Sequence, residues 1–104
     1  MSMKQELTTK IELAKHKYAR EGFMVLGVFG SVARGEENGE SDVDILYELN
    51  KDFRKKYRGL AAFERITEIK EEIAEELNRT VDLADRDYLS ELGKKYILPE
   101  TIYV

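Results

Sequence analysis

The chain has 104 residues, 17 Lys+Arg against 21 Asp+Glu and no cysteine, which sets the expectation of one small domain, residues 1–104, with net charge −4. A disulfide scaffold and a Cys-ligated zinc site are excluded. The longest run of apolar residues and glycine, Gly22 to Gly30, has nine residues, less than half of the roughly 20 that span a bilayer, and no secretory leader is expected at the N-terminus. The reading is of a soluble, cytoplasmic protein without a membrane partner, whose acidic balance argues against stable nucleic-acid binding. Charged residues make up 37% of the chain while Gln and Asn together number four, a lean toward the surface chemistry of thermophiles.

In chain order, Leu7, Ile11, Ala14 and Tyr18 recur at helical spacing. Ser2 with Gln5 has the form of a capping box, and Gly22 is a natural stop. Phe23 to Phe29 is too short for a typical helix and reads as a strand buried on both faces. Gly30-Ser31-Val32-Ala33-Arg34-Gly35 can hold one helical turn, with Ser31 able to cap it and Gly35 able to end it. A polar loop, Glu36 to Ser41, leads into a second strand, Asp42 to Leu49, in which alternation puts Asp42 and Asp44 on one face. After a polar stretch, Phe63, Ile66, Ile69, Ile73 and Leu77 mark a long amphipathic helix from about Leu60 to Leu77, with Asn78 as its left-handed end. Arg79 to Ala84 reads as a third strand. The remainder suggests a short helix broken near Pro99 and an extended end, Thr101 to Val104. The sum is an α/β fold: a small mixed sheet of three to four strands flanked by helices.

Two familiar phosphate motifs are missing. There is no Gly-Lys-Ser/Thr, and Gly27, Gly30 and Gly35 lack G-x-G-x-x-G spacing. What remains is Gly30-Ser31, ten residues, then Asp42-Val43-Asp44. A strand leading through glycine into a helical turn presents free backbone N–H groups to an anion, and the Ser31 hydroxyl adds a donor. Carboxylates at i and i+2 of a strand lie about 6–7 Å apart on one face, suited to gripping hard cations, Mg²⁺ or Mn²⁺. A third carboxylate is expected from the next strand. Alternation favours Asp82, because Asp85 would share the core-facing side of Val81 and Leu83, and Asp87 lies just beyond.

Gly30-Ser31-Val32-Ala33-Arg34-Gly35, Ser41-Asp42-Val43-Asp44-Ile45-Leu46 and Val81-Asp82-Leu83 together resemble the nucleotidyltransferase domain of the DNA polymerase beta superfamily. More narrowly, the chain is similar to the minimal nucleotidyltransferases paired with HEPN ribonucleases in toxin–antitoxin systems, and the likeness covers nearly the whole sequence. The resemblance implies that Asp42, Asp44 and Asp82 bind two metal ions, with Asp82 helping to deprotonate the acceptor. It implies that Gly30 and Ser31 hold the β- and γ-phosphates of ATP. It further implies transfer of AMP to a tyrosine hydroxyl of a HEPN toxin. A cleft this small would be completed by that partner or by a second copy of the chain. An antitoxin acting by occlusion and an enzyme modifying a small molecule such as an antibiotic are the rival readings.

Other charged residues have plainer explanations. Arg34 reads equally as a phosphate contact or a solvated helix residue. Arg54, Lys55, Lys56 and Arg58 read as a solvated face in preference to an RNA or acidic-partner contact. His16 has no second histidine to join it in a metal site. Glu36, Glu37 and Glu40 lack EF-hand spacing and read as solubilising. Tyr47, Tyr57, Tyr88, Tyr96 and Tyr103 are candidates for core or interface, or for self-modification.

Overall fold

A computed structural model describes residues 2–36 and 38–104; Glu37, one of the solubilising acids, lies outside the described residues. Helix α1 (Met3–Ala19) starts on the expected capping box, with Ser2 accepting from the Gln5 N–H and Gln5 returning the bond. It buries Leu7, Ile11, Ala14 and Tyr18, the four residues of the sequence stripe. Strand β1 (Phe23–Phe29) runs into the short helix α2 (Gly30–Arg34), which ends at Gly35 in the left-handed conformation. Ser31 does not cap that helix. The N-cap position falls on Phe29, with no side-chain cap, because the turn begins two residues earlier than a cap at Ser31 requires.

Strand β2 (Val43–Leu49) begins just after Asp42. The polar stretch beyond it contains a helix that the sequence pattern did not announce, α3 (Lys51–Lys56). Its signal was the Asn50 side chain, which accepts from the Asp52 and Phe53 N–H groups, whereas the apolar stripe is reduced to Phe53 alone. Helix α4 (Leu60–Leu77) has the expected bounds and the expected end at Asn78, which is left-handed with φ 54°. Its first turn corrects the expectation: Phe63 is 70% exposed, so the buried stripe consists of Ile69, Ile73 and Leu77. Strand β3 (Val81–Asp85) starts two residues later than read, and a 3-10 turn over Arg86–Tyr88 follows. Helix α5 (Glu91–Glu100) ends near Pro99 as expected: it carries the proline in its last turn and stops one residue beyond it, before β4 (Ile102–Tyr103).

The strands form one mixed sheet in the order β3-β2-β1-β4, with β1 antiparallel to β2 and to β4, and β2 parallel to β3. Val43, Ile45 and Tyr47 point to the face that meets α1 and α4, in a core with Phe23, Val25, Val28, Ile69, Ile73 and Val81. A bulge between Val25 and Gly27 resets the register of β1, so that Val25 and Val28, three residues apart, serve the same core. The opposite face of β1 is only half covered, against the expectation of burial on both sides, because Met24 and Leu26 meet no second layer as complete as α1 and α4. Among the described residues no helix is long and apolar enough to cross a membrane.

Candidate active site

Three strand ends meet at one edge of the sheet. Because β1 and β2 are antiparallel while β2 and β3 are parallel, the end of β1 and the starts of β2 and β3 coincide there. The register makes this concrete: Phe29 lies opposite Asp44, and Asp44 opposite Asp82. Val43, Ile45 and Val81 face the core, so alternation turns Asp44 and Asp82 to the other face. Asp85 pairs in register with the core residue Tyr47 and spends its carboxylate on the Asp87 N–H at 2.9 Å, so it stands on the other side of the sheet. Asp87 is engaged at the far end of the strand with Arg54, at 3.4 Å.

Asp42 reaches the edge through a loop that is pinned from β3's side. Arg79 donates from Nε to the Ser41 carbonyl at 3.1 Å and from Nη2 to the Asn38 carbonyl at 2.9 Å. The Ser41 hydroxyl accepts from the Asn38 N–H at 3.0 Å, and the Asn38 side chain accepts from the Glu40 N–H at 2.8 Å. The same arginine precedes β3 and so ties the position of Asp42 to that of Asp82. No feature of the motif pointed to Arg79; its role depends on a contact across 38 residues.

Gly30 is required twice over at its position. Its φ is 73°, in the left-handed region, and a Cβ placed there would collide with Asp44 Oδ2. The glycine thus lets the backbone lie against the carboxylate. Asp44 is half-buried, and its pKa is raised above the ordinary 3.8, first by desolvation and then by the charges of Asp82 and Asp42, with Glu100 adding to them. The Arg34 guanidinium offsets part of this repulsion, and the net shift of Asp44 is still upward. The oxygen-only chemistry of the three carboxylates and that repulsion fit a hard divalent cation. Among the described residues, though, no three His, Cys, Asp or Glu side chains are already gathered closely enough to hold one. Asp42 and Asp82 are exposed, so a cation held at this edge would draw further oxygens from a bound ligand.

Ser31 is half-buried in the first turn of α2, and Arg34 is exposed at its end. Arg34 is not a free cation: it donates from Nε to Glu36 at 2.9 Å and from Nη1 to Glu100 at 3.1 Å. Glu100, which the sequence reading did not single out, also accepts from the Gly30 N–H at 3.0 Å. The register of β4 explains its arrival. Ile102 pairs with Val28, and continuing two residues back along the antiparallel pair sets Glu100 opposite Gly30.

A mixed sheet that gathers a Gly-Ser turn and three carboxylates at one edge defines the nucleotidyltransferases, and comparison with known proteins agrees. The family model described as "Nucleotidyltransferase domain" matches residues 12–104, and the chain belongs to that family. It is 34% identical over 93 residues to the protein adenylyltransferase MntA of Thermococcus cleftensis, covering 88% of this chain and 86% of that one. A solved structure described as a minimal nucleotidyltransferase superposes with a TM-score of 0.74 at 29% identity, covering 100% of this chain and 97% of that one. The chain also shares the fold of a protein in a toxin–antitoxin crystal structure with AMP-PNP. There the TM-score is 0.66 and the identity 19%, over 92% of this chain and 70% of that one. The protein is therefore a nucleotidyltransferase.

Proposed function

We propose that the chain, as a single minimal domain, moves AMP from ATP to a tyrosine hydroxyl of a HEPN ribonuclease toxin and thereby acts as its antitoxin. The observation that carries this reading is the row Phe29, Asp44, Asp82 across three strands, with Gly30 packed directly on Asp44. The relatives named above supply the direction of transfer, one being a protein adenylyltransferase.

In this reading the Gly30 N–H, the Ser31 hydroxyl and the Arg34 guanidinium hold the β- and γ-phosphates, which orients the α-phosphorus toward the carboxylate edge. The acceptor oxygen forms its bond to that phosphorus in line with the bond to the departing pyrophosphate, and Asp82 takes the hydroxyl proton. Asp42, Asp44 and Asp82 would hold Mg²⁺, or Mn²⁺, and the bound ions supply neutralisation of the charge that builds on the phosphate oxygens. No covalent enzyme intermediate is required. A cleft formed by a chain of 104 residues would be completed by the toxin.

The test is intact-mass spectrometry of a co-expressed HEPN partner after incubation with this protein, ATP and Mg²⁺, beside an Asp42→Asn/Asp44→Asn control. A gain of one or more AMP units that the control lacks is the expected result. A silenced toxin with no added mass would replace transfer by occlusion.

A further inference from the structure

Glu100 occupies the groups that the proposed function assigns to phosphate. One carboxylate oxygen accepts the Gly30 N–H at 3.0 Å and the other accepts Arg34 Nη1 at 3.1 Å. It is delivered by the last residue of α5 and locked in register by β4, from the opposite end of the chain to the Gly-Ser turn. Its charge lies close enough to Asp44 to add to the repulsion there. A carboxylate and a phosphate have the same requirements of these donors, and both cannot satisfy the Gly30 N–H at once.

We propose that Glu100 is an internal competitor of the nucleoside triphosphate: its carboxylate holds the phosphate position in the ligand-free protein and must leave for the nucleotide to bind. The inference rests on the nucleotide reading of the Gly30-Ser31 turn and adds a residue that sets affinity. Displacement releases Arg34 Nη1 together with the Gly30 N–H, so both donors become available to the phosphates in a single event. The same movement withdraws one negative charge from beside Asp44, where the triphosphate brings several. Glu36 is the natural comparison, since it holds Arg34 through Nε at 2.9 Å, on an exposed side chain.

The experiment is calorimetric titration of the purified full chain with α,β-methylene-ATP and Mg²⁺, an analogue that cannot release pyrophosphate. Wild type, Glu100→Gln, Glu100→Ala and Glu36→Gln are compared, each checked by thermal melting. The expected result is an affinity about tenfold higher in both Glu100 variants, the size of one charge-assisted hydrogen bond no longer in competition. Glu36→Gln should change it by less than about twofold, as expected of an exposed ion pair. Unchanged or weaker binding in the folded, near-isosteric Glu100→Gln would overturn the competition and make Glu100 a tether of α5, while leaving the nucleotide reading intact. Absence of binding in the wild type and in every variant would remove the nucleotide reading and the competition with it.

Discussion

Two acid clusters in this molecule are held in opposite ways. Behind the sheet, Glu21 takes a bidentate grip from Arg65, 2.7 Å to Nε and 2.6 Å to Nη2, and accepts the Tyr57 hydroxyl at 2.6 Å. Arg65 also reaches Glu72 at 3.2 Å, which in turn accepts the Tyr18 hydroxyl at 2.7 Å. Hydrogen bonding from Arg65 is the main reason the Glu21 carboxyl is lowered to about 2. At the sheet edge, Asp44 is desolvated beside Asp82 and Asp42, and its pKa moves up instead. One cluster carries its own counter-ion bound directly to the acid; in the other, burial and neighbouring acids outweigh the charge of Arg34. Perturbed carboxylates of the first kind serve architecture, and those of the second kind are poised for a ligand.

That contrast can be broken by substitution. The largest effect is expected at the edge: Asp42→Asn or Asp44→Asn should lower AMP transfer by about a hundred- to a thousandfold with the fold intact, measured with labelled ATP. Gly30→Ala should lose transfer as well and also cost about 1–3 kcal/mol in chemical denaturation, since an alanine there is strained by φ and collides with Asp44. Arg65→Met should do the reverse, losing about 2–3 kcal/mol of stability by stranding two glutamates while transfer, measured well below the melting temperature, stays within about twofold. A loss of transfer in Arg65→Met as large as in Asp44→Asn would abolish the distinction between the clusters.

Smaller effects sharpen the contrast through pH. A carboxyl lowered in the folded state binds fewer protons there than in the unfolded chain. The stabilisation from Glu21 is therefore complete above its ordinary 4.5 and is lost as pH falls toward about 2. Acid melts of Glu21→Gln should lose that component of the slope between those limits. Asp44 has the opposite sign: its raised pKa means that the folded state gains below the ordinary 3.8 and that this gain disappears as pH rises through the folded value. At neutral pH Asp44→Asn should therefore melt at a higher temperature than wild type, as thermal denaturation followed by circular dichroism would read.

Much of this was legible in local sequence, where the signals are short-range. The capping box at Ser2 and Gln5, the glycine end of α2, the bounds of α4 and the left-handed Asn78 all follow from interactions within a few residues. The pairing of Gly30-Ser31 with Asp42-Val43-Asp44 was readable because strand alternation orients side chains without knowledge of the partner strand. Alternation also separated Asp82 from Asp85. The failures share a cause as well. Phe63 sits on the apolar period of α4 yet is exposed, since the period says which face a residue shares and not whether a neighbour covers that turn. Helix α3 was overlooked because a single buried Phe53 carries no periodicity.

The sequence by itself determined most of the elements and, through alternation, the face on which Asp44 and Asp82 stand, because spacing and alternation are properties of the chain; that the two lie side by side was decided by the parallel pairing of β2 with β3. Only the tertiary structure decided that Arg79 pins the loop before Asp42, that Arg65 neutralises Glu21 and that Glu100 stands on the Gly30 N–H. Those contacts join residues 38, 44 and 70 positions apart. At such separations the partner is chosen by strand order and register, which pairing across the whole sheet sets and no local pattern records.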